Sequence, residues 1–296
     1  MSTKARTQTS LFILLCALSL FICWTPLLAT FRLALADDAY THILLILPLS
    51  ALLIFSDTRR CDSRTLPFTD RPSLGFGVSL LVLSSAVICG ARWILTDTPD
   101  RVSLGTLGLV IWWIGSVILC FGIETFKSFL FPLCFLFLLV PLPPSALSRI
   151  VEFLQHQSAV AARIIFQLAR VPVTQDGIML SIPGLDIEVA QECSSIRSST
   201  ILIVTTMVLA FLLLRSWWKR ALLIAMAIPL SIIKNGFRIF VIAELGTHVD
   251  PGFLTGRLHR QGGIIFFVLS LVLITVLLFA LRRTEFSVPA AMRNSR

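Results

Sequence analysis

The chain has 296 residues, 56% of them hydrophobic and only 14% charged, where a soluble domain of this size carries about 25% charged residues. With a mean hydropathy of +0.89, it cannot be a disordered chain, a disulfide scaffold or an ordinary soluble enzyme; a polytopic membrane protein remains. The net charge of +9 does not point to nucleic acid, because the basic residues lie in short loops between apolar runs and form no stripe interleaved with aromatics.

Eight apolar segments follow one another, at about 11–29, 41–56, 74–95, 104–123, 128–147, 194–214, 221–242 and 263–281. Each is near the roughly 17–25 residues that cross hydrocarbon as a helix. None alternates apolar and polar residues every second position, as barrel strands do. The expected fold is an all-α polytopic transmembrane helix bundle of about eight spans with a small extracytoplasmic cap. The first segment reads as an uncleaved helix; the alternative is a leader removed after Ala34-Leu35-Ala36. With the N-terminus inside, 14 of the 25 Lys and Arg and five of the 16 acids fall on the inner side. The whole charge excess then lies there, a strong positive-inside pattern. This places both termini in the cytoplasm.

Residues 148–192 are mixed in character. From Arg149 to Arg170, Ile150, Phe153, Leu154, Ala161, Ile164, Ile165 and Leu168 recur at helical spacing with polar residues between them, which reads as an amphipathic helix lying at the interface. Asp176-Gly177 and Pro183-Gly184 are turn signals around short β-prone runs and imply a hairpin-like cap. The chain thus divides into an N-terminal five-span region (1–147), an extracytoplasmic helix and cap (148–192), a C-terminal three-span region (193–283) and a cytoplasmic tail (284–296).

Chemistry concentrates in the C-terminal region. Of seven cysteines, five (Cys16, Cys23, Cys89, Cys120 and Cys134) lie in apolar spans and Cys61 in an inner loop. Cys193 alone is expected at the outer face, among polar neighbours and at a helix start, where the dipole favours thiolate. Lys234-Asn235-Gly236-Phe237-Arg238 puts two cations near the outer end of the seventh span. Intramembrane charge is functional by default; Lys234 reads as snorkelling to the interface and Arg238 as a site residue. Counting 1.5 Å per residue down the sixth span and back up the seventh returns Arg238 to the depth of Cys193. A guanidinium beside a thiol favours thiolate or stabilises an oxyanion. His259, directly before the last span and followed by Gly262-Gly263, is the candidate base, with His248 as runner-up. No Gly-x-Ser-x-Gly, His-Glu-x-x-His or phosphate-binding loop occurs. No metal or soluble cofactor is expected.

Three segments resemble the exosortase/archaeosortase family of integral-membrane cysteine transpeptidases. Glu192-Cys193-Ser194-Ser195 is similar to its Cys-Ser-Gly segment, with Ser195 in place of Gly. Asn235-Gly236-Phe237-Arg238 is similar to its Asn-x-x-Arg segment. His259 with Gly262, Gly263 and Phe266-Phe267 is similar to its last block, with Arg260-Gln261 in place of aromatic residues. The resemblance implies Cys193 as nucleophile, Arg238 as oxyanion stabiliser and His259 as acid–base, with Ser194 and Asn235 orienting the site. It implies membrane-anchored substrates ending in a short motif, one helix and a basic tail, processed at the periplasmic face of an inner membrane. The rival readings are a non-catalytic transporter or scaffold of a polysaccharide export system, and an acyltransferase using the same thiol on a lipid donor. The sequence is silent on oligomeric state.

Overall fold

The computed structural model describes residues 3–60, 73–93, 98–189, 196–255 and 263–286. The protein is an all-α polytopic helical membrane protein. Among the described residues, six helices are long and apolar enough to cross a membrane, and up to eight spans result if each of two bent helix pairs counts as one. The chain forms two compact units, Met1–Ala146 and Leu147–Arg296.

The first unit contains α1 (Thr3–Ile22), α2 (Trp24–Ala36), a 3₁₀ turn, α3 (Ile43–Arg60), α4 (Leu74–Trp93), α5 (Thr98–Phe121), α6 (Ile123–Ser128) and α7 (Leu130–Phe135). It packs around α5 through small residues. A Cβ on Gly77 would stand 2.7 Å from the Leu119 backbone, and one on Gly108 would stand 2.5 Å from Ile88. This is how helices associate without a hydrophobic gradient between them and lipid. Ser84 Oγ donates to the Gly108 carbonyl at 2.7 Å along the same contact. Trp112 and Trp113 donate to the Leu15 carbonyl and Ser19 Oγ of α1.

Two expected spans are not single helices. The run 11–29 bends by 70° between Ile22 and Trp24. Pro26 has no N–H for the Ile22 carbonyl, and the Arg92 guanidinium donates to that oxygen instead. The run 128–147 is also broken. Just before it, Gly122 ends α5 at φ 87° and α6 follows with six residues; within the run, α7 has six residues and a 3₁₀ turn, Leu136–Leu139, follows. Pro141, Pro143 and Pro144 then stop the helix. The uniform hydropathy of both runs conceals these prolines.

The second unit holds most of α8 (Pro144–Leu168), strands β1 (Thr174–Asp176), β2 (Met179–Ile182) and β3 (Leu185–Glu188), and helices α9 (Ile196–Leu213), α10 (Trp217–His248), α11 (Gly252–Thr255) and α12 (Gly263–Phe286). Pro144 opens α8 at the first helical position, where its missing N–H costs nothing. The helix from 149 to 170 is present as expected, but its buried face is a different stripe from the apolar positions read in the sequence. Ile150, Phe153, Ile164 and Leu168 are exposed, as suits lipid contact. The narrower stripe of Val151, Gln155, Ser158, Ala159, Ala162 and Phe166 is buried in the protein. Arg170 ends the helix at φ 60°, with Val171 N–H returning to the Phe166 carbonyl at 2.9 Å.

The cap is an antiparallel meander, β1-β2-β3, pairing Gln175 with Leu180 and Leu180 with Ile187. Gly177 and Gly184 supply the positive φ of its turns. Leu180 and Ile182 bury one face of the sheet against Ala159, Ala162 and Phe166 of α8 and Ile239 and Ala243 of α10. A separate apolar cluster joins α9, α10 and α12 through Leu202, Ala210, Leu223, Ala227, Ile274 and Leu278. At the α9–α10 turn, Glu285 accepts from the Arg215 and Ser216 N–H groups at 2.9–3.3 Å, and Lys219 bonds Thr284.

Candidate active site

Helix α10 has 32 residues, about 48 Å at 1.5 Å per residue, and so exceeds the roughly 30 Å hydrocarbon thickness. Arg238 falls about 32 Å from its start. Beyond it, Ile239, Phe240 and Ala243 meet the cap. The end of the apolar span and the underside of the cap therefore coincide at Arg238.

Four residues of this stretch are buried: Lys234 is 6% exposed, Asn235 0% and Arg238 5%, and Gly236 also lies in the interior. Lys234 and Arg238 are one turn apart on one helix face. An intramembrane cation costs about 3 kcal/mol on insertion scales. Two cost a sum comparable with the 5–15 kcal/mol stability of a typical domain. Packing alone would favour leucine at both positions, so the charges make this stretch the candidate site.

Three elements converge on this stretch. From α9, Ser198 Oγ accepts from Lys234 Nζ, and Ser199 and Ser231 share a hydroxyl bond of 2.5 Å one turn lower. Lys234 is therefore bound inside the protein and does not snorkel; a hydroxyl on the neighbouring helix offers its ammonium a closer partner than the interface. From α8, Ala161 and Ala162 press on Gly236, where an added Cβ would stand 2.7 Å from Ala161 Cβ and 2.8 Å from Ala162 N. From α12, Phe266 meets Phe237 edge to face, with ring centroids 6.0 Å apart.

Arg238 and Asn235 are thus placed, side by side on one helix. Cys193, Ser194 and His259 lie outside the described residues. Helix α9 begins at Ile196, three positions after Cys193, and α12 begins at Gly263, four after His259. The runner-up His248 is described. It is 71% exposed, with Nδ1 3.3 Å from Glu244 Oε2 and 2.9 Å from Thr247 Oγ1. Ten residues separate it from Arg238, about 15 Å along the axis. Cys16, Cys23, Cys89, Cys120 and Cys134 are free thiols.

Sequence reasoning missed two participants. Gly236 was visible as a residue, but its role depends on a helix crossing. Gln155, buried in α8, donates from Nε2 to the Val189 carbonyl at 2.9 Å. Its only sequence signal is an amide in the stripe of small residues at 158, 159 and 162. Among the described residues no group of His, Cys, Asp and Glu is arranged to hold a metal ion.

Comparison with curated proteins and with solved structures finds no significant match. The family model for transmembrane exosortase matches residues 32–276. That match spans five of the six uninterrupted candidate helices in full and most of the sixth. It includes every site residue inferred from the sequence, so the chain belongs to the transmembrane exosortase family.

Proposed function

We propose that the protein is a membrane-embedded cysteine transpeptidase or protease that cleaves the C-terminal sorting tail of exported proteins. The supporting observation is the convergence on Lys234–Arg238. The helix that follows Cys193 is bonded to Lys234 through Ser198, and the helix that follows His259 meets Phe237 through Phe266. At about 3.6 Å per residue at most, Cys193 lies within ~11 Å of Ile196 and His259 within ~14 Å of Gly263. Those chain lengths are compatible with a site shared with the buried arginine.

The reaction follows from the chemistry of these groups. The Cys193 thiolate adds to the carbonyl carbon of the scissile peptide, just outside the substrate's membrane helix. Arg238 stabilises the resulting oxyanion. His259 gives a proton to the departing amine as the C–N bond breaks, which leaves a thioester on Cys193. An amine, a hydroxyl or water then attacks that thioester and regenerates the thiol. Asn235 and Ser194 orient the site.

The protein sits in an inner membrane with both termini cytoplasmic and the site facing the periplasm. Arg215, Lys219, Arg220, Arg282 and Arg283 flank the α9–α10 turn and the end of α12, which supports that orientation by the positive-inside rule. The partners are lipid and substrate proteins bearing a short motif, one helix and a basic tail.

Co-expression with such a substrate tests the reading. Wild type shortens the substrate on a gel and Cys193→Ala leaves it full length. Unchanged shortening in Cys193→Ala would overturn the nucleophile assignment.

A further inference from the structure

We propose that Gln155 is a positioning residue for the nucleophile; the inference rests on the cysteine reading above. Gln155 is 8% exposed, in a buried stripe that also holds Val151, Ser158, Ala159, Ala162 and Phe166. A buried amide without a partner is costly, whereas leucine at this position would need none. The amide is directed at one acceptor, the Val189 carbonyl, at 2.9 Å.

Val189 is where the cap hands the chain over to the segment carrying Cys193, four residues on. It is held in three ways. Its carbonyl accepts from Gln155, its N–H donates to the Ile178 carbonyl at 3.0 Å, and its side chain is fully buried. The helix that grips Val189 also seats on Gly236 through Ala161 and Ala162, two residues before Arg238. Gln155 and Ala161–Ala162 are about 9–10 Å apart along α8. Helix α8 therefore works as a ruler. One end holds Val189, four residues before Cys193, the other seats on the helix of Arg238, and Gln155 is the contact at the first end.

The test uses the full chain in lipid nanodiscs, with the six other cysteines replaced and a tail-bearing peptide as substrate. Gln155→Leu should fold and melt close to the parent, yet kcat should fall by about ten- to a hundredfold, the scale of a small misplacement of reacting groups. KM should change little, and the rate at which an impermeant maleimide labels Cys193 should shift. Gln155→Glu supplies a readout that loss of packing would not move. Its carboxylate opposes the Val189 carbonyl at neutral pH, but its protonated form donates to it, so kcat measured relative to the parent at the same pH should recover as pH falls. Parental kcat and parental labelling in Gln155→Leu would overturn the proposal. So would equal losses of melting temperature and rate in both variants, with no recovery of Gln155→Glu at low pH. Should Cys193→Ala still process the peptide, the cysteine reading fails by itself, and the labelling arm still judges the link between Gln155 and Cys193.

Discussion

Arg238 is a fixed charge in a place where charge is expensive. Its burial at 5% puts the guanidinium in a low-dielectric setting, where an oriented donor is worth far more than in water. Lysine keeps the charge but loses the planar fork of donors. Arg238→Lys should therefore remain folded and lower kcat for tail cleavage by about 10²–10³-fold, the usual effect of removing one oxyanion donor; a rate within threefold of wild type would show that only charge matters. The placing of Arg238 inside an apolar run was legible in the sequence, and its burial is what the helix packing adds. The fate of Lys234 was not. Whether a long side chain snorkels or turns inward depends on a hydroxyl on the adjacent helix, here Ser198, and hydropathy carries no information about that neighbour.

At the scale of elements, close approach matters more than apolar area. The α8–α10 crossing exists because Gly236 presents no side chain to Ala161 and Ala162. Gly236→Val must push two helices apart, an overpacking cost of about 1–3 kcal/mol. It should lower the melting temperature in detergent and also slow cleavage, because α8 carries Gln155. An unchanged melting temperature would mean that the crossing bears no load. The same residue-level detail explains where segment reading failed. Long apolar helices such as α4 and α12 begin within a residue of the expected spans, because length and hydropathy suffice for a helix in lipid. The runs 11–29 and 128–147 are equally apolar but contain Pro26, Pro132 and Pro141, and these break the backbone ladder without changing mean hydropathy. The cap's two turns lie at Gly177 and Pro183-Gly184 as expected, since turn chemistry is local.

Across the whole molecule, each unit buries its own polar ties. Thr30 bonds Thr106 in the first, and Ser199 bonds Ser231 in the second. The candidate site belongs to the second unit, Leu147–Arg296, in which α8, α9 and α12 supply contacts to the Lys234–Arg238 stretch of α10. The order of the three motif segments was readable from sequence; the meeting of α8, α9 and α12 at the Lys234–Arg238 stretch required the helix pairings. The central claim is that Cys193 and Arg238 share one pocket. The most direct measurement is the pH dependence of Cys193 alkylation by an impermeant reagent, in a chain whose other six cysteines are replaced, with and without Arg238→Ala. A shared pocket predicts a midpoint below the ~8.5 of an ordinary thiol that rises when Arg238 is removed. Identical midpoints in the two chains would contradict it.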